Sequence, residues 1–298
     1  MWSLRGSACL VFAGGLAIGT AANAPPVRTQ THAGGYRILS GDFHVHGFPG
    51  DGGLPPWSLR EEARFAGLDV FGQTNHNQVL TGRLGECVAG GGEPLVITGE
   101  EITNPKYHLI AIGISTAVSA DQPAASAIAD VHAQGGIAIA AHPIASFPGW
   151  DDDAVALLDG VEVAHPIIHA RDGARREMMA FYERARRLNP DIAAIGSSDV
   201  HTTATLADCR TLVFVRDATR AGVIDAIRTG RTVAMDRNGA LYGPPDLVPL
   251  VDASRPAGRV DPHPQLRRAS AALAVAGLLG MMLLGARPAR GPGLSCPP

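Results

Sequence analysis

Between Tyr36 and about Met235 the chain alternates short apolar runs with longer segments of helical periodicity. The runs predict strands at Tyr36–Leu39, Asp69–Gln73, Pro94–Thr98, His108–Ile114, Ile137–Ala141, Gly160–Val163, Ile192–Ile195, Thr211–Val215 and Thr232–Met235. Helices are expected over Ser58–Ala66, Pro123–Gln134, Ala174–Leu188 and Thr219–Thr229. Ser58 and Thr219 are suitable N-caps, and Gly135-Gly136 is a suitable stop. Several strand runs are continuously apolar, which is how strands buried on both faces of a parallel sheet read. Repeated strand–helix units of this number predict an α/β barrel, in which active groups gather at the C-terminal ends of the strands.

The two ends read differently. Met1–Ala24 carries Arg5, an apolar stretch from Ala8 to Ile18 and a small-residue ending Ala22-Asn23-Ala24, the three parts of a secretory signal. Ala269–Ala286 contains no charged residue. As a helix it would span about 27 Å, close to the bilayer core of about 30 Å. Arginines flank it on both sides (Arg267, Arg268, Arg287 and Arg290), so the positive-inside rule gives no orientation. A translocated domain followed by a stop-transfer helix does, leaving only the last residues inside. The expected organisation is a signal peptide (1–24), a catalytic domain (36–237), a Pro/Gly-rich linker (238–268), a transmembrane helix (269–286) and a short tail (287–298). The domain would be exported and membrane-anchored, on the periplasmic or extracellular side.

Composition narrows the function by exclusion. A formal charge of −3 over 298 residues, with Lys106 the only lysine, carries no basic stripe for nucleic acid. Of the four cysteines, Cys9 lies in the signal and Cys296 in the tail, leaving Cys87 and Cys209 free to pair in an oxidising compartment. None has Cys-x-x-Cys spacing, which argues against a thiolate zinc site.

The histidines carry the chemistry. Six of eleven fall in short motifs: Asp42–His46 (Asp-Phe-His-Val-His), Asn75–Asn77 (Asn-His-Asn), His108, His142 (Ala-His-Pro) and Ser198–His201 (Ser-Asp-Val-His). Nearly all of them follow a strand candidate. In extended chain His44 and His46 face the same side, as do Asp199 and His201. Asp51 follows in the turn Gly50-Asp51-Gly52-Gly53, which can fold back to the same pocket. Gly99-Glu100-Glu101 offers two acids, and spacing alone does not say which is used. A carboxylate can bridge two cations where a neutral imidazole cannot. Imidazoles and carboxylates collected at strand ends point to a multinuclear metal site and hydrolytic chemistry.

The order His-x-His-x4-Asp, Thr-x-His, Gly-x-Glu, His, Ala-His-Pro, Ser-Asp-x-His resembles the PHP (polymerase and histidinol phosphatase) superfamily. With the following strands the match covers about two-thirds of the chain. The resemblance implies a distorted (β/α)7 barrel holding two to three divalent ions, zinc, manganese or iron, and it selects Glu101 over Glu100. It places His44, His46 and Asp199 on one metal, with Glu101 bridging to a second that adds His108 and His142. Asp51, His76 and His201 would hold a third. Glu101, Asp199 and His201 are the expected catalytic residues. Where the family commonly has Thr-Asp-His-Asp, this chain has Thr74-Asn75-His76-Asn77, which lowers the negative charge at the third metal. That form, with the export signal and the stand-alone barrel, looks more like the branch of carbaryl-hydrolase-like (CehA/McbA) metallohydrolases than the polymerase branch. Arg83, His165, His169 and Arg171 are candidates for contacting substrate.

The leading expectation is a phosphoesterase using a metal-bridging hydroxide. The same site can attack a carbonyl carbon, so a carbamate, ester or amide hydrolase is the alternative. A membrane-tethered metal-binding module without turnover is a reading of another class.

Overall fold

The computed structural model describes residues 4–22, 30–202, 205–251 and 263–285. The signal-cleavage point, the linker over 252–262 and the tail after 285 lie outside the described residues. The two terminal segments form one compact unit and the chain between them another.

Helix α1 (Leu4–Ala22) comes first. Then follow β1 (Thr31–Ala33), β2 (Tyr36–Val45), α2 (Pro56–Phe65), β3 (Val70–Gln73), α3 (Leu80–Ala89), β4 (Leu95–Asn104) and β5 (Tyr107–Ile112). The second half holds α4 (Ala124–Ala133), β6 (Ile137–Ala140), α5 (Asp152–Leu157), β7 (Gly160–Ala164), α6 (Ile167–Ala170), α7 (Ala174–Leu188) and β8 (Ala193–Gly196). It closes with β9 (Arg210–Val215), α8 (Arg220–Arg228), β10 (Thr232–Met235), β11 (Leu241–Tyr242), a 3-10 turn at Val248–Leu250 and α9 (Pro264–Gly285).

The strands form one mixed sheet in the order β11-β10-β9-β2-β3-β4-β5-β6-β7-β8, with β1 added beside β2. The sheet curls into a nearly closed barrel surrounded by helices. Its ends meet through Thr211, whose Oγ1 accepts from Gly196 N (3.0 Å), and Thr232, whose Oγ1 donates to Ala194 O (2.9 Å). Gly196 permits this seam, since a Cβ there would lie 2.3 Å from Arg210 O.

The expectation of a parallel sheet holds only in part. Pairs β2–β3, β3–β4, β6–β7 and β7–β8 are parallel, but β4–β5, β5–β6, β2–β9 and β9–β10 are antiparallel. Apolar continuity reports burial on both faces, and burial does not record direction. Helix α3 was not expected either. Its sheet-facing residues are Thr81, Gly82, Gly85 and Ala89, too small to register as an apolar stripe. The short helices α5 and α6 likewise escape periodicity.

The barrel interior is filled by Leu39, Phe43, Val70, Ile97, Ile110, Ile112, Ile137, Ile139, Ile195 and Val213, with Val223, Ala226 and Ile227 entering from α8. Each fully buried aliphatic side chain contributes about 1.5–3 kcal/mol. A second layer packs α4, α5 and α7 against the outer face of β5–β8. Packing continues past residue 237: β11 pairs with β10, and Leu247 and Leu250 cover Ile38, Leu212 and Phe214. The first part of the segment read as linker is therefore folded against the sheet. Cys87 (exposed) and Cys209 (buried) are both free thiols, so the pairing that the sequence left open is not made.

In the terminal unit α1 and α9 lie antiparallel. Ser270 Oγ donates to Gly15 O (2.7 Å), Cys9 Sγ to Met281 Sδ (3.3 Å), and Gly277 faces Phe12. Small residues let the two backbones approach closely. Both helices are long and apolar enough to cross a membrane.

Candidate metal centre

Strand β2 extends to Val45, so His44 lies on the strand and His46 one residue beyond it. Period-two alternation sends both imidazoles into the barrel mouth, where they are almost fully buried. Glu101 also lies within a strand rather than at its end. Strand β4 runs beside β3 through Thr98, then continues as the first arm of a hairpin with β5. The same alternation separates the two glutamates. Glu101 faces the histidines, while Glu100 points outward and its Oε1 accepts from Val118 N (2.6 Å).

Four overlapping groups of ligand atoms result, the atoms of each within 4.8 Å of one another. In the first, His44 Nε2 is 3.3 Å from Glu101 Oε2 and 3.1 Å from Asp199 Oδ1, and His46 Nε2 is 3.3 Å from the same Asp199 oxygen. In the second, Glu101 Oε1 lies 2.7 Å from His108 Nδ1 and 3.4 Å from His142 Nε2. The third joins Asp51 Oδ2 to His76 Nε2 (3.1 Å) and His201 Nε2 (3.0 Å), with His46 Nδ1 3.2 Å from Asp51 Oδ1. A fourth combines His44, His142 and Asp199 with His165, whose Nε2 is 3.4 Å from Asp199 Oδ2. The nine residues expected as ligands are thus gathered at one end of the barrel, with Glu101 shared between the first two groups.

The other candidates divide. His165 is buried in the cluster. His169 is exposed on α6. Arg171 is engaged with Glu177 (2.8 Å), whose same oxygen also anchors Ala145 N. Arg83 is exposed on α3, on the side opposite the Gly82 and Gly85 that pack on the sheet. Of the four candidates for contacting substrate, only His165 joins the groups of ligand atoms.

Buried atoms test whether the site suits a cation. His44 Nε2, His46 Nε2, Glu101 Oε2, His142 Nδ1, His165 Nε2 and Asp199 Oδ1 are all shielded from solvent without a hydrogen-bond partner. Buried polar atoms are normally paired, so a concentration of lone-pair donors left unpaired around one point fits divalent ions. Ionisation fits as well. Burial raises the Asp199 carboxyl, but the charge of His44 and the close imidazoles of His165 and His46 outweigh it and hold the group far below the usual range. Glu101 behaves alike: burial is overcome by His44, His108 and His142, and its pKa is well below normal. Burial opposes charge on His44, yet Asp199, Glu101 and Glu162 together raise its pKa well above normal. The carboxylates of the pocket thus favour positive charge held between them.

Backbone geometry pays attention to the same residues: among non-glycine residues with positive φ are His142 (φ 27°) and Asp199 (φ 50°). Such conformations cost about 1–3 kcal/mol and persist where the surroundings over-determine them. The mouth is stitched by His46 N to Val200 O (3.0 Å) and Gly53 N to His201 O (2.8 Å).

The two asparagines flanking His76 have a structural reason. Asn75 Oδ1 accepts from Gly47 N (3.1 Å) while its Nδ2 donates to Gly47 O (2.6 Å) and to Asp51 Oδ1 (3.1 Å). Asn77 Oδ1 accepts from Thr103 N (2.8 Å) and its Nδ2 donates to Thr103 O (3.3 Å). Each amide clasps a backbone with a donor and an acceptor, and an ionised carboxylate has no donor.

Three residues at the site were not singled out from sequence. Asp42 accepts from Ser198 N (3.1 Å) and Ala207 N (2.9 Å), tying β2 to the segment carrying Asp199. Burial pushes its carboxyl up to about 6. Phe147 covers His108 and His142, with ring centroids 4.4 and 5.6 Å away. Glu162 is buried beneath His44. The only signal for Glu162 was an acid inside an apolar strand run, Gly-Val-Glu-Val-Ala.

No family model matches the sequence, and no curated protein matches it significantly. Among solved structures it is similar to a two-domain protein from Bacteroides vulgatus containing a predicted PHP-like metal-dependent phosphoesterase. The two share 23% identity over 76% of this chain and 74% of that one, with a TM-score of 0.62. A looser similarity is to the lesion-specific endonuclease EndoQ of Pyrococcus furiosus, with 14% identity, 79% and 71% coverage and a TM-score of 0.46. The first similarity shows the fold: the barrel is of the PHP-like type.

Proposed function

We propose that the chain is a metal-dependent hydrolase of the PHP superfamily, acting on small phosphoesters. One observation carries this reading: nine candidate ligands from dispersed motifs converge at one barrel mouth, while buried nitrogens and oxygens among them lack hydrogen-bond partners. His44, His46, Glu101 and Asp199 would hold one ion, Glu101, His108 and His142 a second, and Asp51, His76 and His201 a third. Zinc, manganese and iron suit this mixed imidazole–carboxylate set.

When bound, such ions lower the pKa of water to near neutrality and neutralise charge on the substrate's oxygens. Glu101 shares its two oxygens between neighbouring groups and so sets their spacing. Asp199, held ionised, aligns His44 and His46 from across the mouth. Asp51, His76 and His201 are about one-third exposed, so substrate oxygens arrive on their side. Glu101, Asp199 and His201 are the residues to which we assign catalysis. A phosphoryl group presents several anionic oxygens to three adjacent groups, whereas a carbonyl presents one, and this favours phosphorus over carbon. Assignment to the carbaryl-hydrolase-like branch rests on the Thr74–Asn77 form.

The proposal includes a location. The catalytic domain lies on the extracytoplasmic side, after a signal over 1–24 and before an anchor over 269–286. Mass analysis of the mature N-terminus reads the first segment directly: a start at Pro25 marks a cleaved signal, and a start at Met1 marks α1 as a second span beside α9.

The test of activity uses the full chain in detergent, purified without chelator. Metal per chain is measured with hydrolysis of a phosphomonoester, a phosphodiester and a carbamate ester. Two to three ions with phosphoester turnover are expected. Carbamate turnover alone would move the reaction to carbon, and a protein that takes up no metal would end the reading.

A further inference from the structure

The carboxylate of Glu162 touches two groups of candidate ligands from behind. It sits at the centre of β7, with no solvent exposure, between Val161 and Val163. Its Oε1 lies 3.0 Å from Nδ1 of His44, itself fully buried. Its Oε2 accepts the backbone N–H of His142 at 2.6 Å. His44 belongs to the first group of ligand atoms and His142 to the second.

Each contact orients a ligand. A carboxylate facing Nδ1 keeps the proton there, so the Nε2 lone pair of His44 points at Glu101 and Asp199. At His142 the bond fixes the residue's own backbone in its positive-φ conformation (27°). That conformation carries the imidazole to within 3.4 Å of Glu101 Oε1. Both hydrogen-bond partners of Glu162 are donors, and His165 Nε2 lies farther off, 3.9 Å from Oε2. A glutamine in its place would meet one of them with an NH2 group, and an aspartate would fall short by a methylene.

We propose that Glu162 is a positioning residue that couples the two Glu101-sharing sites, orienting His44 for one and His142 for the other, so that both sites depend on a single buried carboxylate. The inference rests on reading the cluster as a metal centre.

The full chain in detergent, stripped with chelator and dialysed, is titrated with Zn2+ against an indicator, as wild type, E162Q and E162D. In the wild type two tight equivalents at the Glu101-sharing sites are expected, beside a third at Asp51, His76 and His201. Both should weaken together in each variant, by about 10–100-fold, the usual effect of removing an outer partner of a metal-binding histidine. Variants that bind both equivalents like the wild type overturn the role, and loss confined to one equivalent overturns the coupling. A wild type that binds no Zn2+ instead ends the metal reading itself, and this role with it. A second measurement needs no variant. In zinc-loaded, 15N-histidine-labelled wild type, the Nδ1–H of His44 should give a solvent-protected proton resonance. Its absence overturns the orientation assigned to Glu162 even if both variants fail to fold.

Discussion

The imidazoles of His46 and His201 lie face to face, centroids 3.9 Å apart and planes 16° from parallel, although 155 positions separate them in the chain. Asp51 links the pair. Its Oδ1 is 3.2 Å from His46 Nδ1 and its Oδ2 3.0 Å from His201 Nε2. Burial raises the Asp51 carboxyl, but His46 and His76 outweigh it, and the net pKa lies below normal. The exposed rim of the mouth is thus built on one ionised aspartate in a glycine turn.

Asp51→Asn should therefore remove one metal equivalent and leave two, because the other groups do not use Asp51. Gly52→Ala should do the same without touching a ligand. A Cβ at Gly52 would sit 2.2 Å from Gly47 N and His46 C, and the turn carrying Asp51 must shift. Elemental analysis of the purified variants checks both; three equivalents retained in Gly52→Ala would show that the turn adjusts without moving Asp51.

Asp199→Ala and Glu101→Ala should reduce phosphoester turnover by a factor of about 10³ or more, since each removes charge at the reacting centre. Initial rates at saturating metal, with circular dichroism to confirm folding, read this effect. Near-wild-type rates in both variants would sink the metal mechanism.

Metal removal should lower thermal stability. The buried unpaired atoms of the mouth gain partners only when ions bind, and a ligand that binds only the folded state at 100 times its Kd contributes about 2.7 kcal/mol. Melting curves in chelator and in excess Zn2+ or Mn2+ should separate by several degrees. Coincident curves would mean that the cluster holds no ion in the folded protein.

Glu100 should impose a pH dependence of its own. Burial pushes its carboxyl up to about 7 from 4.5, only partly offset by the hydrogen bond from Val118 N. The folded state therefore prefers the protonated form. Its stabilising effect is complete below pH 4.5 and is lost as pH rises towards 7. Glu100→Gln cannot ionise, so relative to wild type it should gain stability between these limits, by about 3 kcal/mol at most. Urea unfolding in chelator at pH 4.5 and pH 8 measures the change, and an equal difference at both values would contradict it.

What was legible in the sequence is what depends on short-range periodicity. Alternation along an extended chain puts His44 and His46 on one side, and the same rule splits Glu100 from Glu101 once a direction is known. Continuous apolar runs at Ile137–Ala140 and Ala193–Ile195 announce strands buried on both faces. The direction of each strand was not legible, because burial is the same for parallel and antiparallel neighbours. So β4 and β5 pair antiparallel as a hairpin, although both read as strands of a parallel sheet. Helix α3 was missed because its buried face is made of small residues, which pack closely without an apolar signature.

Only the tertiary structure decided which side chains share the mouth. Arg83 and His169 stand close in sequence to site motifs, yet helices α3 and α6 leave both exposed. Glu162 has no motif, but the pairing of β7 with β6 and β8 brings it beneath His44, 118 positions away. Local periodicity is set by bonds between neighbouring residues and can be read from one segment at a time. Convergence at the mouth is set by the order in which ten strands pair around the barrel, and no single segment contains that order.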